Sequence, residues 1–107
     1  MSDREPALKN EILFRLRRSI LETLYNTFQE YPYVAVELQQ IEAKCNTDTK
    51  VLNWNIVYLE KCGYVELGRS YDCAPYIASY ATITVAGIDL IEDENRFKKR
   101  FSLENEE

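Results

Sequence analysis

Residues 48–67 read DTKVLNWNIVYLEKCGYVEL, a segment with helical apolar spacing followed by a glycine and a short apolar run. Three apolar residues of this segment lie within about 60° of arc on a helix, which predicts one buried stripe on a helix over about residues 48–62. They are Leu52, Ile56 and Leu59. Gly63 stands where a glycine commonly ends a helix, and residues 64–67 then predict a β-strand.

A shorter helix is predicted directly before this one, over about residues 36–44. Residues 45–47, Cys-Asn-Thr, then form a short turn. Asn46 suits a left-handed position at a helix end, and Thr47 or Asp48 suits the N-cap of the next helix. Two helices joined by a three-residue turn form a helix-turn-helix unit, in which the second helix is the candidate recognition helix.

A long first helix is predicted over about residues 7–29, and Pro32 follows its end because proline disfavours helix in the residue before it. Two apolar stripes run along this helix, turned from one another by about 100–150°. The first is Ile12, Leu13, Leu16, Ile20 and Leu24, and the second is Phe14, Leu21, Tyr25 and Phe28. The second stripe predicts either a contact with the C-terminal helix of the same chain or a homodimer through the N-terminal and C-terminal helices.

A β-hairpin is predicted after the recognition helix. Its second strand is residues 76–83, which are rich in Tyr, Ile, Thr and Ala, and its loop is residues 68–75, which contain glycine and proline. Thr84 suits the N-cap of a last helix over about residues 85–101. The apolar stripe of that helix is Leu90, Phe97 and Phe101.

Two short motifs border this hairpin. Residues 58–66, YLEKCGYVE, resemble the junction of winged-helix regulators, where a leucine, polar residues, a glycine and an apolar pair join the recognition helix to the wing. Residues 83–91, ITVAGIDLI, resemble the signature that follows the wing, with a threonine, two residues, a glycine and an apolar residue. Over roughly residues 34–92 the chain resembles PadR-like and MarR-like transcription factors and the small bacterial YjcQ-like winged-helix proteins.

The resemblance implies an α+β fold of the winged helix-turn-helix type, with a three-helix core, a two-stranded β-hairpin wing and a C-terminal helix. In DNA-binding winged-helix proteins the third helix enters the major groove, and the wing touches the backbone or the minor groove. Gly87 would let the last helix approach the sheet closely, because glycine has no Cβ.

The length of 107 residues fits one domain, which we place at residues 1–101, with an acidic tail at residues 102–107 that we expect to be frayed. Histidine is absent and the three cysteines have neither disulfide nor zinc spacing, so we expect buried free thiols and no metal or cofactor. No nucleophile–base pair or glycine-rich phosphate loop is present, which predicts a protein that is not an enzyme. The N-terminus lacks the apolar stretch of a signal peptide, and no run is long enough to span a membrane, which predicts a cytoplasmic protein.

The candidate contact residues lie on the outward face of the recognition helix and in the wing. They are Lys50, Trp54, Val57 and Lys61, the flanking Asn53 and Tyr58, and Arg69 of the wing. The lysines and Tyr58 suit contacts with phosphates, and the amide of Asn53 suits adenine. We therefore predict a small transcriptional regulator that binds double-stranded DNA.

Charge and composition favour an alternative, a winged-helix protein–protein interaction module that uses the Trp54 face. The net charge is −5, and residues 31–91 hold four cations against seven anions, although DNA affinity depends on lysine and arginine contacts with phosphates. The outward face has no arginine, and tryptophan is enriched in interaction hot spots. Two further alternatives stay open: the N-terminal segment or the last helix covers Trp54, and the basic cluster at residues 96–100 either contacts phosphates or is a solvated helix face.

Overall fold

The computed structural model describes residues 4–70 and 72–101, of which residues 4–10 are described as helix backbone. The helices are α1 (Arg4–Glu30), α2 (Leu38–Cys45), α3 (Thr49–Lys61), α4 (Val85–Glu92) and α5 (Glu94–Arg100). The strands are β1 (Val36–Glu37), β2 (Val65–Gly68) and β3 (Tyr80–Ile83). These elements form the α+β fold that was predicted, and the predicted acidic tail, residues 102–107, lies outside the described residues.

The short turn between α2 and α3 has the predicted conformation. Asn46 is left-handed, with φ 55°, and the Asp48 side chain caps α3 by accepting a hydrogen bond from the Val51 backbone N–H at 2.9 Å. At the other end of α3, Gly63 has φ 86°, a value that glycine adopts without steric cost. Local backbone chemistry therefore sets both ends of α3 close to the predicted bounds.

The start of the predicted second helix is wrong, because Val36 and Glu37 form strand β1. Val36 pairs with Ala81 and Glu37 with Tyr80, so the sheet has three antiparallel strands in the order β1-β3-β2 instead of the predicted two. Val36 is buried and Glu37 is exposed, which is the alternation of a half-buried strand. Two residues are too few for that period to be recognised in the sequence.

The second strand of the hairpin is shorter than predicted, since β3 begins at Tyr80 and not at residue 76. β2 and β3 pair from Val65 opposite Ile83 to Gly68 opposite Tyr80. Residues 76–79 belong instead to the β2–β3 loop, where hydrogen bonds tie Tyr76 to α2 and Ile77 to α3. High β-propensity is overridden there by tertiary contacts.

Both stripes of α1 are covered largely by this chain, but Ile12 of the first stripe is 64% exposed. Leu16, Ile20, Leu21 and Leu24 are buried in the core. Phe14 of the second stripe packs against Phe101, with ring centroids 6.5 Å apart, and the Tyr25 hydroxyl donates to Glu92 at 2.7 Å. The second stripe therefore meets the C-terminal helices of the same chain, which was one of the two predicted alternatives.

The predicted last helix is wrong in one respect, because it breaks at Asp93 into α4 and α5. Asp93 has φ −99° and ψ 92°, and its carboxylate accepts from the Arg96 backbone N–H at 3.2 Å, so it caps α5. Aspartate competes for backbone donors in this way and favours helix starts over helix interiors. The break turns Phe97 and Phe101 onto the core.

The two local predictions at the start of α4 are confirmed. Thr84 caps the helix, since its hydroxyl accepts from the Gly87 backbone N–H at 3.1 Å. A Cβ at Gly87 would lie 2.5 Å from the Tyr64 carbonyl oxygen, so only glycine permits this approach.

In the described part of the chain, no helix combines the length and the apolar composition needed to cross a membrane.

The cysteines differ from the prediction of buried thiols. Cys45, Cys62 and Cys73 are all free, and each is only partly buried. Burial nevertheless raises the pKa of the Cys45 thiol, because it penalises the thiolate.

Candidate functional site

Helix α3 presents its inner side to the core and its outer side to solvent. Leu52, Asn55, Ile56 and Leu59 are buried. Opposite them, within about 60° of arc, lie the four residues that we call the outer face of α3: Lys50, Trp54, Val57 and Lys61. The packing of the inner side therefore dictates which side chains can meet a partner.

The outer face carries positive charge and no negative charge. Lys50 and Lys61 are exposed, and the acidic residue of α3, the exposed Glu60, lies outside the face, about 60° around the helix from Val57 and about 100° from Lys61. Trp54 stands between the lysines and is 47% exposed, and Val57 is half-buried. The four side chains form a basic strip with an apolar centre.

Arg17 of α1 packs against this helix, a contact that the sequence analysis missed. Its guanidinium lies 3.8 Å from the centroid of the Tyr58 ring and 5.7 Å from that of Trp54. Its Nε donates to the Asn55 Oδ1 at 2.8 Å, and the Asn55 Nδ2 donates to the Val51 carbonyl at 2.8 Å. Arg17 is only 8% exposed, and burial lowers its pKa because the charged form loses hydration.

A signal for Arg17 is present in the sequence. On a helical projection Arg17 falls between the two apolar stripes of α1, inside the arc that packs against the rest of the chain. A cation in the middle of an apolar arc is buried or functional more often than a cation on a polar face. The signal is the position of Arg17 between the two apolar stripes, more than its residue type.

Arg100 of α5 approaches Tyr58 as well. Its Nη2 donates to the Tyr58 hydroxyl at 2.9 Å and to the Cys62 Sγ at 3.4 Å. Its guanidinium lies 5.8 Å from the Tyr58 centroid and 4.8 Å from that of Phe101. We call Arg17 and Arg100 the arginine pair, since both contact one tyrosine ring.

The basic cluster at residues 96–100 is thus divided by the fold. Arg100 is half-buried against α3, whereas Arg96 and Lys98 are exposed on α5. The predicted alternative of a solvated helix face therefore does not hold for Arg100, and a phosphate contact by the cluster stays a prediction.

Neither arginine of the pair has a carboxylate partner. Among residues 11–70 and 72–101, the ion pair found joins Arg15 to Glu11, both on α1. The groups that act electrostatically on Arg17 are Tyr58, Arg100 and Cys62, and those that act on Arg100 are Tyr58 and Tyr64. Two guanidinium groups therefore stand beside the outer face of α3 without counter-charge from the described side chains.

The opposite flank of α3 holds the β2–β3 loop. The Asn53 Nδ2 donates to the Pro75 carbonyl at 3.0 Å, and the Asn53 Oδ1 accepts from the Ile77 backbone N–H at 2.9 Å. Arg69 donates from its Nε to the Ile77 carbonyl at 3.0 Å. The amide predicted to read adenine is therefore engaged inside the chain, whereas the predicted wing cation Arg69 is held by its Nε and remains exposed.

A second set of contacts ties the same loop to α2. The Tyr76 hydroxyl donates to the Glu42 carboxylate, which also accepts from the Thr49 hydroxyl at 2.6 Å. These bonds from Thr49 and Tyr76 lower the pKa of Glu42, because they stabilise the carboxylate. The loop lies folded back against the helix-turn-helix instead of projecting from the sheet.

The fold brings some of the seven predicted contact residues together and separates others. Lys50, Trp54, Val57 and Lys61 share one face, and Tyr58 borders it beneath the arginine pair. Asn53 and Arg69 lie on the side of the folded-back loop. Comparisons with protein-family models, curated proteins and solved structures each gave no significant match to this chain.

Proposed function

We propose that this chain is a winged helix-turn-helix protein that binds double-stranded DNA through the outer face of α3. The proposal is supported by the helix-turn-helix of α2 and α3, the hairpin of β2 and β3 that follows it, and the two motifs at residues 58–66 and 83–91. Strand β1 pairs with the free side of β3, so it extends the sheet and leaves the hairpin unchanged.

One observation carries the proposal: the outer face of α3, together with the flank that carries Tyr58, holds four cations and no carboxylate. Lys50 and Lys61 belong to the face, and Arg17 and Arg100 border it. Lysine and arginine contacts with phosphates supply most of the affinity for DNA. The chain's net charge of −5 includes these four cations, so the other residues together carry −9, and their repulsion would leave α3 as the favourable side of approach.

The dimensions of α3 suit the major groove. The helix has 13 residues, a length of about 20 Å at 1.5 Å per residue, and a groove about 12 Å wide admits one helix. Trp54 at the centre of the face would meet base edges, where an apolar side chain favours the methyl group of thymine. The two lysines, on either side of Trp54 along the helix, would contact phosphates.

The test measures the affinity of the purified protein for random-sequence duplex DNA across a salt series. The double substitution Lys50→Glu with Lys61→Glu should weaken binding at least tenfold and reduce the slope of log affinity against log salt by about 2, since each phosphate contact contributes about 0.9. The matched control is Lys44→Glu with Lys98→Glu, which changes the net charge equally at exposed positions of α2 and α5. Equal losses in both variants would contradict binding through α3.

The second candidate is a protein interaction module, which the 47% exposure of Trp54 favours. A half-exposed tryptophan flanked by a partly buried valine is typical of an interface anchor. The single tryptophan makes the test direct, because acrylamide quenching reports its accessibility and its emission reports any ligand on this face. No duplex binding by the wild-type protein at low salt, with Trp54 accessible to the quencher, would contradict the DNA proposal and favour the interaction module.

A further inference from the structure

The arginine pair carries two positive charges, and no described carboxylate pairs with either of them. Arg17 is more than nine-tenths buried, yet its polar partner is a neutral amide oxygen and its other neighbours are aromatic faces. A desolvated cation is costly unless an anion accompanies it, so buried arginines are usually paired. Stacking on Tyr58 recovers only part of that cost.

The guanidinium of Arg100 adds a second positive charge close to that of Arg17. Both guanidinium groups are held against one ring, at 3.8 Å for Arg17 and 5.8 Å for Arg100, so two like charges are neighbours. Repulsion from Arg100 adds to the burial that lowers the pKa of Arg17, whereas the pKa of Arg100 is raised, because burial, which lowers it, is outweighed by its interactions with Tyr58 and Tyr64. An arrangement of this kind is stabilised when an anion binds between or beside the two groups.

The orientation of Arg17 leaves part of its donor edge available. A guanidinium that stacks on a ring uses its face, and its five N–H groups lie in the plane of that face. The Nε is occupied by Asn55, and the two Nη nitrogens have no acceptor among the described side chains and backbone. No buried side-chain nitrogen of the described residues lacks a partner, so these Nη groups reach the surface.

We propose that Arg17 and Arg100, held on Tyr58, form a phosphate clamp at the border of the outer face of α3. Guanidinium groups bind phosphate oxygens through pairs of parallel N–H donors, and two of them can hold one phosphate from two sides. This inference rests on the proposed function for its source of phosphate, which is the DNA backbone at the edge of the groove that α3 enters.

The position of the clamp suits a backbone contact better than a base contact. Tyr58 follows Trp54 by four residues, one helical turn further along α3, and it sits to the side of the outer face. A phosphate bound there would lie beside the groove while Trp54 faces the base edges. The clamp would therefore add affinity and fix the orientation of α3 without reading sequence.

The first part of the test uses the salt series with Arg100 variants, because Arg100 is half-buried and easier to replace than Arg17. Arg100→Gln should lower affinity for all duplex sequences about equally and reduce the salt slope by about 1, the contribution of one phosphate. Arg100→Lys keeps the charge and should retain most of the slope, which a purely structural role would not predict. Lys98→Gln, an exposed position on the same helix, is the matched control and should leave the slope unchanged.

The second part needs no DNA. Trp54 lies 5.7 Å from the Arg17 guanidinium and is the single tryptophan, so its emission reports on the clamp. Inorganic pyrophosphate is titrated against chloride at constant ionic strength. A saturable change in the wild-type protein that is lost in Arg100→Gln shows that the clamp also takes a free phosphate.

The outcomes separate the clamp from the proposed function. A slope reduced in Arg100→Gln but not in Lys98→Gln supports a clamp on the DNA backbone. If the wild-type protein binds no DNA and the pyrophosphate response depends on Arg100, the proposed function fails while the clamp stands as a site for a free phosphate group. If neither the slope nor the pyrophosphate response changes in folded Arg100→Gln, the clamp is overturned, and the effect of the Lys50 and Lys61 reversal still decides the function.

Discussion

Arg17 and Asn55 show how one buried polar contact determines the surroundings of the outer face of α3. Asn55 is fully buried on the inner side of α3, and its Oδ1 accepts a hydrogen bond from the Arg17 Nε. The pair places a guanidinium against Tyr58 and next to Trp54. A single residue of α1 thereby changes the charge beside a face that belongs to α3.

The coupling of these two residues is measurable. Arg17→Met should destabilise the protein by about 1–3 kcal/mol, because it leaves the buried Asn55 oxygen without a donor. Adding Asn55→Leu should recover most of that loss, since an apolar pair has no unsatisfied group. Urea unfolding of both single variants and the double variant gives the interaction energy, and strictly additive effects would contradict the coupling.

At the scale of elements, the β2–β3 loop is the part that departs most from a projecting wing. Asn53 holds residues 75–77, and Glu42 holds Tyr76 and Thr49 together. These bonds join the loop, α2 and α3 into one unit on the side of α3 away from the arginine pair. A duplex on the outer face would therefore meet a preformed loop rather than a free hairpin tip.

The Glu42 contact makes the attachment of this loop dependent on pH. Its pKa is lowered in the folded protein by hydrogen bonds from Thr49 and Tyr76, so its stabilising contribution is present at neutral pH and is lost as the pH falls below about 4. Thermal unfolding of Glu42→Gln should occur at a lower temperature than that of the wild type at pH 7, and the difference should shrink at pH 3. The exposed Glu66→Gln is the control, and a difference that persists unchanged at pH 3 would contradict the role of the Glu42 carboxylate.

At the scale of the whole molecule, α1 is the element against which both the α2–α3 pair and the C-terminal helices pack. Its first stripe packs on α2 and α3, whereas Phe14 and Tyr25 of its second stripe contact the C-terminal helices. Phe101 is fully buried and contacts the rings of Phe14, Tyr64 and Phe97. The C-terminal helices thus belong to the same core as α2 and α3, and α5 places Arg100 against α3.

Removing the Phe101 ring should destabilise the entire fold. We expect Phe101→Ala to lower the free energy of unfolding by about 3–5 kcal/mol, the usual cost of deleting a buried aromatic side chain. Val85→Ala, at an exposed position of α4, should cost less than about 0.5 kcal/mol. Equal urea midpoints for the two variants would mean that α5 is not part of the cooperative core.

The features that the amino-acid sequence predicts correctly are those that depend on neighbouring residues. The left-handed turn at Asn46, the caps at Asp48 and Thr84 and the glycine after α3 each rest on contacts within a few positions. The inner stripe of α3 follows from helical periodicity alone, and so does the composition of its outer face. These local rules were sufficient for the α+β class and for two consecutive helices joined by a short turn.

The remaining features depend on contacts between residues far apart in the chain, and local patterns do not identify the partners in such contacts. Strand β1 exists because β3 offers it a partner, and Tyr76 and Ile77 leave the ladder because Glu42 and Asn53 bind them. The arginine pair needs α1 and α5 to converge on Tyr58 from 41 positions before it and 42 after it. Side-chain packing and desolvation choose such contacts, and both are properties of the folded chain, which is why a face without arginine in the sequence has two of them at its border in the structure.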